Sequence, residues 1–107
     1  MSKKKDKPEK PAATTIAEDA AAMHAISRAL ADPRRVEVLR MIACSESTSC
    51  MDLRTAMTMN PATLSHHMKQ LETAGLIETR RDGKLVRATL RKKTWKSYLA
   101  HLKSFAA

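Results

Sequence analysis

Asn60-Pro-Ala-Thr-Leu-Ser-His-His-Met-Lys-Gln-Leu-Glu-Thr-Ala-Gly75 is the stretch that decides the fold. Its apolar residues Leu64, Met68 and Leu71 recur at i, i+4 and i+7, the spacing of one face of a helix. Asn60 is a good N-cap, and Pro61 stands at the first helical position, where a missing N–H costs nothing. Gly75 can take the left-handed conformation that ends a helix. With about 100° per residue, Ala62, Thr63, Ser65, His66, Lys69, Gln70 and Thr73 fall on the remaining face. A solvated face is usually crowded with Glu and Lys, whereas this one holds hydrogen-bonding side chains and a single full charge, Lys69. Such a surface suits a polar partner, and duplex DNA is the first to consider.

Upstream, Thr15 and Glu18 have capping-box spacing, and Ile16, Ala20, Met23, Ile26 and Leu30 follow a helical stripe. This Ala-rich helix should stop before Asp32-Pro33, because proline disfavours helical geometry at the residue before it. Asp32 then caps a second helix, with Val36, Leu39, Ile42 and Ala43 as its buried stripe and Arg34, Arg35 and Arg40 off it. Ser45–Ser49 is a polar break. Ser49 and Asp52 start a short third helix carrying Leu53, Ala56 and Met57, and Thr58-Met59 connects it tightly to Asn60. Two short helices so joined, the second with a polar outer face, form a helix-turn-helix.

After Gly75 the apolar period changes from 3.6 to 2. Leu76–Arg81 and Lys84–Leu90 flank Asp82-Gly83, a two-residue hairpin signal. That turn would pair Arg81 with Lys84, Thr79 with Val86 and Glu78 with Arg87, and would gather Arg80, Arg81 and Lys84 at the tip. Three like charges there gain nothing in folding, but a phosphate backbone would neutralise them. A final helix carries Trp95, Tyr98, Leu99, Leu102 and Phe105, apolar surface that needs a partner. The first helix is the expected partner, preferably across a two-fold axis, with Met23 and Ile26 on its side of the contact.

The 107 residues leave room for one domain, read as a disordered basic tail at 1–13 and a folded unit at 14–107. So small a core would gain from dimerisation. The net charge of +9, from 20 Lys and Arg against 11 Asp and Glu, favours a polyanionic partner. No apolar run is long enough for a membrane span, and no apolar segment follows the basic start, so neither membrane nor secretory signal is expected. Two cysteines make no disulfide framework, which is consistent with a cytoplasmic chain. Its three aromatic residues cluster near the C-terminus, which argues against single-strand binding by base stacking.

The order of elements, a mainly α fold with a small β-hairpin, resembles the ArsR/SmtB family of winged helix-turn-helix repressors. The residues that carry the resemblance are Ala29–Leu39, Leu64-Ser-His-His-Met-Lys-Gln-Leu-Glu-Thr-Ala-Gly-Leu-Ile77 and Thr79–Val86. It implies a homodimeric repressor, paired through the first and last helices, on a double-stranded operator that is an inverted repeat. The 61–74 helix would enter the major groove and the 76–90 hairpin would be the wing. Thr63, Ser65, His66, Lys69 and Gln70 would reach base edges or nearby phosphates, while Arg80, Arg81 and Lys84 would hold the backbone. His67 lies near the core edge and reads as structural.

Many members of that family are released from DNA by metal, and here the pattern breaks. The arsenic, cadmium and lead type has Cys-x-Cys before Asp-Leu; this chain has Ser49-Cys50-Met51-Asp52-Leu53. The zinc and nickel type uses Asp and His pairs on the last helix, where this chain offers only His101, with His24 on the first helix as a distant partner. No cofactor is therefore expected, a metal ion being the alternative that this incomplete ligand set leaves open. Cys44 and Cys50 are candidates for sensing as a redox pair, the alternative being two small buried hydrophobes. No enzyme is expected: there is no phosphate loop or paired carboxylates, and Ser65-His66-His67 cannot form a triad because adjacent helical residues diverge. A winged helix that binds protein or RNA is the alternative class.

Overall fold

The computed structural model describes residues 12–106, with side chains from Ala20 onward. Most of the expected tail, and the side chains of Thr15, Ile16 and Glu18, lie outside the described residues. The elements run α1 (Ala12–Ala29), α2 (Pro33–Ala43), β1 (Thr48–Ser49), α3 (Cys50–Met57), α4 (Pro61–Thr73), β2 (Ile77–Asp82), β3 (Leu85–Leu90) and α5 (Lys92–Ser104). Helix α1 starts at Ala12, so Thr15, expected as its cap, is an interior position.

Capping sets the helix boundaries. Asp32 accepts from the backbone N–H groups of Arg34 and Arg35, and Pro33 follows it at the start of α2. Ser49 Oγ accepts from Asp52 N at 3.0 Å to start α3. Asn60 Oδ1 accepts from Ala62 N at 2.7 Å to start α4. Helix α4 ends in a Schellman motif: Gly75 N donates to Glu72 O, Leu76 N donates to Leu71 O, and Gly75 has φ +82°. Leu71 and Leu76, the apolar pair that accompanies such a motif, are both fully buried. Between α3 and α4, Thr58 has φ +49°, a costly geometry for a β-branched residue.

The core joins all five helices to the sheet through Ile26, Val38, Leu39, Ile42, Leu53, Met57, Leu64, Met68, Leu71, Leu76, Ile77, Ala88 and Tyr98. On α2 the buried set is Val38, Leu39 and Ile42, whereas Val36 and Ala43 are exposed. Arg35 belongs to the same stripe, with its side chain only 12% exposed. The expected stripe was thus rotated around the helix, because an arginine occupies one of its inward positions.

The sheet has three antiparallel strands in the order β1-β3-β2, one more than the expected hairpin. Thr48 and Ser49, at the end of the polar break, pair with Ala88 and Arg87. The hairpin closes at Asp82↔Leu85, so the turn is Gly83-Lys84 rather than Asp82-Gly83. Gly83 has φ +65° and Lys84 does not have positive φ, the pattern of a type II′ turn. Thr79 accordingly faces Ala88, Glu78 faces Thr89, and Arg80 faces Arg87. Each partner moves by two residues, so the faces of the strands are retained.

Helix α5 folds back on α1 of the same chain, where Tyr98 is buried and its hydroxyl lies 3.0 Å from Ser27 Oγ. Ile26 is likewise buried within the chain. The first and last helices therefore meet within one chain, whereas the arrangement across a two-fold axis was the preferred expectation.

Candidate nucleic-acid interface

On α4 the buried side is Leu64, His67, Met68 and Leu71. Opposite them, Ala62, His66, Lys69 and Thr73 form the outermost line, flanked by Ser65 and Glu72 on one side and Thr63 and Gln70 on the other. Thr63, Ser65, His66, Lys69 and Gln70 are all exposed, as are Arg80, Arg81 and Lys84. The fold divides the α4 set between two clefts. Ser65 and Lys69 line a cleft of about 570 Å³ between α4, α3 and the hairpin, with Arg54, Cys50, Leu64, Met68, Thr79 and Val86 around it. His66 and Gln70 line another, of about 410 Å³, between α4 and α1.

The hairpin is tied to α4 by one side-chain bond, Thr79 Oγ1 donating to Glu72 Oε2 at 2.8 Å. This bond occupies the acidic side chain on the hairpin flank of α4. Farther out, Arg80 stands opposite Arg87, and Asp82 Oδ2 accepts from Arg87 Nε at 3.3 Å. The aspartate therefore offsets part of the cross-strand repulsion and leaves Arg80, Arg81 and Lys84 exposed. Alternation along the strand puts Arg81 on the face of Thr79 and Arg80 on the face of Glu78 and Asp82. Arg54, in the third helix, is an exposed cation beside Ser65 and Lys69 that the spacing of the sequence gave no reason to select.

Behind the exposed face of α4, His67 is 5% exposed and its Nδ1 accepts from Arg35 Nε at 3.5 Å. Arg35 also donates from Nη1 to Ala29 O and from Nη2 to Asp32 Oδ2. Desolvation pushes the His67 pKa down, and the Arg35, His66 and Arg34 charges push the same way against the opposing pull of Asp32. Partial burial would raise the Asp32 carboxyl, but the backbone N–H groups of Arg35 and Arg34, with the His67 and Arg35 charges, hold it below the usual carboxylate value. This chain of polar groups joins the end of α1, the start of α2 and the inner side of α4.

The two cysteines differ in setting. Cys44 is exposed, beside Arg40, Met41, Ser45 and Thr48, so it is not a buried hydrophobe. Cys50 is half-buried at the cleft between α4 and the hairpin, and burial raises its thiol pKa. Among the described residues, no group of three or more His, Cys, Asp or Glu side chains could hold a metal ion. On α5, Leu99, Leu102 and Phe105 are exposed, Phe105 to 73%, while Trp95 and Met23 pack partly against the core.

Residues 32–79, from the cap of α2 to the start of the wing, match the family model described as bacterial regulatory protein, arsR family. The chain is 41% identical over 58 residues to an arsenical resistance operon repressor of Staphylococcus xylosus, covering 54% of this chain and 55% of that protein. It thus spans about half the length of that relative. It is 33% identical over 75 residues to the uncharacterized HTH-type transcriptional regulator YceK of Bacillus subtilis, covering 69% of this chain and 75% of the relative. Among solved structures it is similar to a homodimeric winged helix-turn-helix DNA-binding domain of Mycobacterium bovis, with a TM-score of 0.66 and 22% identity over 94% of this chain and 90% of that one. The helix-turn-helix of α3 and α4, followed by the β2–β3 wing, is the shared architecture, and the chain belongs to the ArsR family of bacterial regulatory proteins.

Proposed function

We propose that the chain is a sequence-specific, double-stranded DNA-binding transcriptional repressor that acts as a homodimer on an inverted-repeat operator. The observation that carries this reading is the exposed polar face of α4, capped at both ends and tied by Glu72 and Thr79 to a basic wing. Helix α4 enters the major groove, with His66 and Lys69 on its outermost line, Ser65 on the flank toward the hairpin and Thr63 and Gln70 on the opposite flank. Arg80, Arg81 and Lys84 hold the phosphate backbone, with Arg54 beside them, without specifying sequence. The exposed Leu99, Leu102 and Phe105 pair two copies, with Met23 and Trp95 beside them, and the two-fold axis sets half-sites about one helical turn apart, roughly 34–36 Å. The cytoplasm is the setting that such a partner implies.

The staphylococcal relative is named for arsenical resistance. In this chain Cys44 and Cys50 line separate clefts, so the proposal ends at DNA binding and includes no arsenical response. Selection of binding sites from a random duplex library by the full chain tests the reading. An enriched inverted repeat is expected, with affinity falling about 10³–10⁵-fold between 50 and 200 mM salt if six to ten phosphates are contacted. Failure to enrich any duplex sequence, or tight binding that ignores salt, would overturn it and favour a protein- or RNA-binding winged helix.

A further inference from the structure

The cleft between α1 and α4 is not explained by base reading. Its walls are Ala25, Arg28 and Ala29 from α1, Arg35 from α2, and His66, Gln70, Thr73 and Ala74 from α4. It contains two guanidinium groups, an imidazole, an amide and a hydroxyl, and no carboxylate lines it. Arg35 is committed to Asp32, Ala29 O and His67, but Arg28 is exposed and has no ion-pair partner among the described residues. Helix C-termini ordinarily repel an anion, yet here several of the terminal carbonyls already accept hydrogen bonds. Arg35 donates to Ala29 O at the end of α1, while Ala74, Gly75 and Leu76 donate back to Gln70, Glu72 and Leu71 at the end of α4. What the cleft presents outward is a cation with no ion-pair partner among the described residues and neutral donors beside it.

We infer that this cleft is a phosphate-binding site, in which Arg28 with Gln70, Thr73 and His66 grips one backbone phosphate of the duplex at the edge of the major groove. The inference rests on the DNA-binding reading and changes the task of two of its residues: Gln70 and His66 hold register rather than read a base. Small side chains make the geometry possible, since Ala25, Ala29 and Ala74 leave room for a tetrahedral group between the two helices. Arg28 can approach such a group with two parallel N–H bonds, the arrangement that suits guanidinium to phosphate.

The test compares the parent chain with Arg28→Gln and Arg28→Lys, on the selected duplex and on a mixed-sequence duplex, between 50 and 200 mM salt. Arg28→Gln should weaken both duplexes by the same factor, about three- to tenfold, and lower the salt slope by roughly one per protomer. Arg28→Lys should restore most of that slope, and a thermal melt should show all three chains equally folded, since Arg28 is exposed. An unchanged slope, or a changed selected sequence, overturns the inference while leaving DNA binding intact. A parent chain that binds no duplex defeats both readings together. Titration with inorganic phosphate separates the remaining source: saturation of the Arg28 and Gln70 amide shifts at millimolar phosphate, with no effect of Arg28→Gln on duplex binding, would assign the cleft to a free anion and also overturn the inference.

Discussion

Thr79 Oγ1 donates to Glu72 Oε2 at 2.8 Å, joining the first residues of the wing to the last turn of the helix expected to enter the major groove. The bond is on the surface, and hydrogen bonds contribute about 0.5–1.5 kcal/mol net. Thr79→Val preserves shape and removes the donor. It is expected to cost the lower half of that range, a fall of about two to eight degrees in Tm, and to loosen the wing. DNA affinity should fall about threefold while the preferred sequence is unchanged. Differential scanning calorimetry and duplex titration check the two parts; a variant as stable and as tight as the parent removes the bond from the account.

Arg80 faces Arg87 directly across the hairpin, and like charges so placed oppose folding by about 0.2–1 kcal/mol. Asp82 relieves this only in part, through an exposed 3.3 Å contact. Arg80→Thr is therefore expected to raise Tm by one to a few degrees at low salt, with the gain shrinking as salt screens the pair. The same change should weaken duplex binding and reduce its salt slope. A residue kept for folding would lose stability on substitution, so a lower Tm would refute this assignment.

His67 gives the fold a dependence on pH. Its pKa in the folded chain lies below the ordinary histidine value of about 6.5, so the unfolded chain binds the proton more readily. Stability should be level above about pH 6.5 and should fall as pH drops through that value toward the folded pKa. Protonation also removes the Nδ1 acceptor that Arg35 uses. Urea unfolding at pH 5.0, 6.0, 7.0 and 8.0 should show a decline at the acid end, and His67→Gln should flatten it. An identical pH profile in both chains would assign the decline to other groups.

Much of this architecture is legible in the chain because helix ends carry local chemistry. Asp32-Pro33, Ser49 with Asp52, Asn60-Pro61 and Gly75 each mark a boundary within a few residues of sequence. The hairpin register was less determined, since Asp82-Gly83 and Gly83-Lys84 are both plausible two-residue turns and both keep the faces of the strands. Strand β1, at two residues, is too short to carry a period. The α2 stripe departs from its apolar pattern because Arg35 occupies an inward position, at the right spacing from Val38, Leu39 and Ile42. The cleft around Arg28 had no sequence signal at all: its walls come from three helices and meet only in the fold.

The pairing proposed for two copies would rest on α5, where the inward and outward faces divide the apolar residues. Tyr98 is used within the chain, bonded to Ser27, while Leu99, Leu102 and Phe105 remain exposed at a spacing of three. Leu99→Glu combined with Phe105→Glu should therefore leave the protomer folded and separate the dimer, because neither side chain supports the buried core. Sedimentation equilibrium should report a monomer, and circular dichroism a helical content close to that of the parent. Loss of the second half-site contact should then weaken operator binding by about 10²–10⁴-fold, the advantage that linking two sites ordinarily supplies. Tyr98→Phe is the internal control: it should lower stability by about 0.5–1.5 kcal/mol and leave the dimer intact. If the double glutamate chain still sediments as a dimer, two copies pair through another surface and the role given to this face of α5 is wrong.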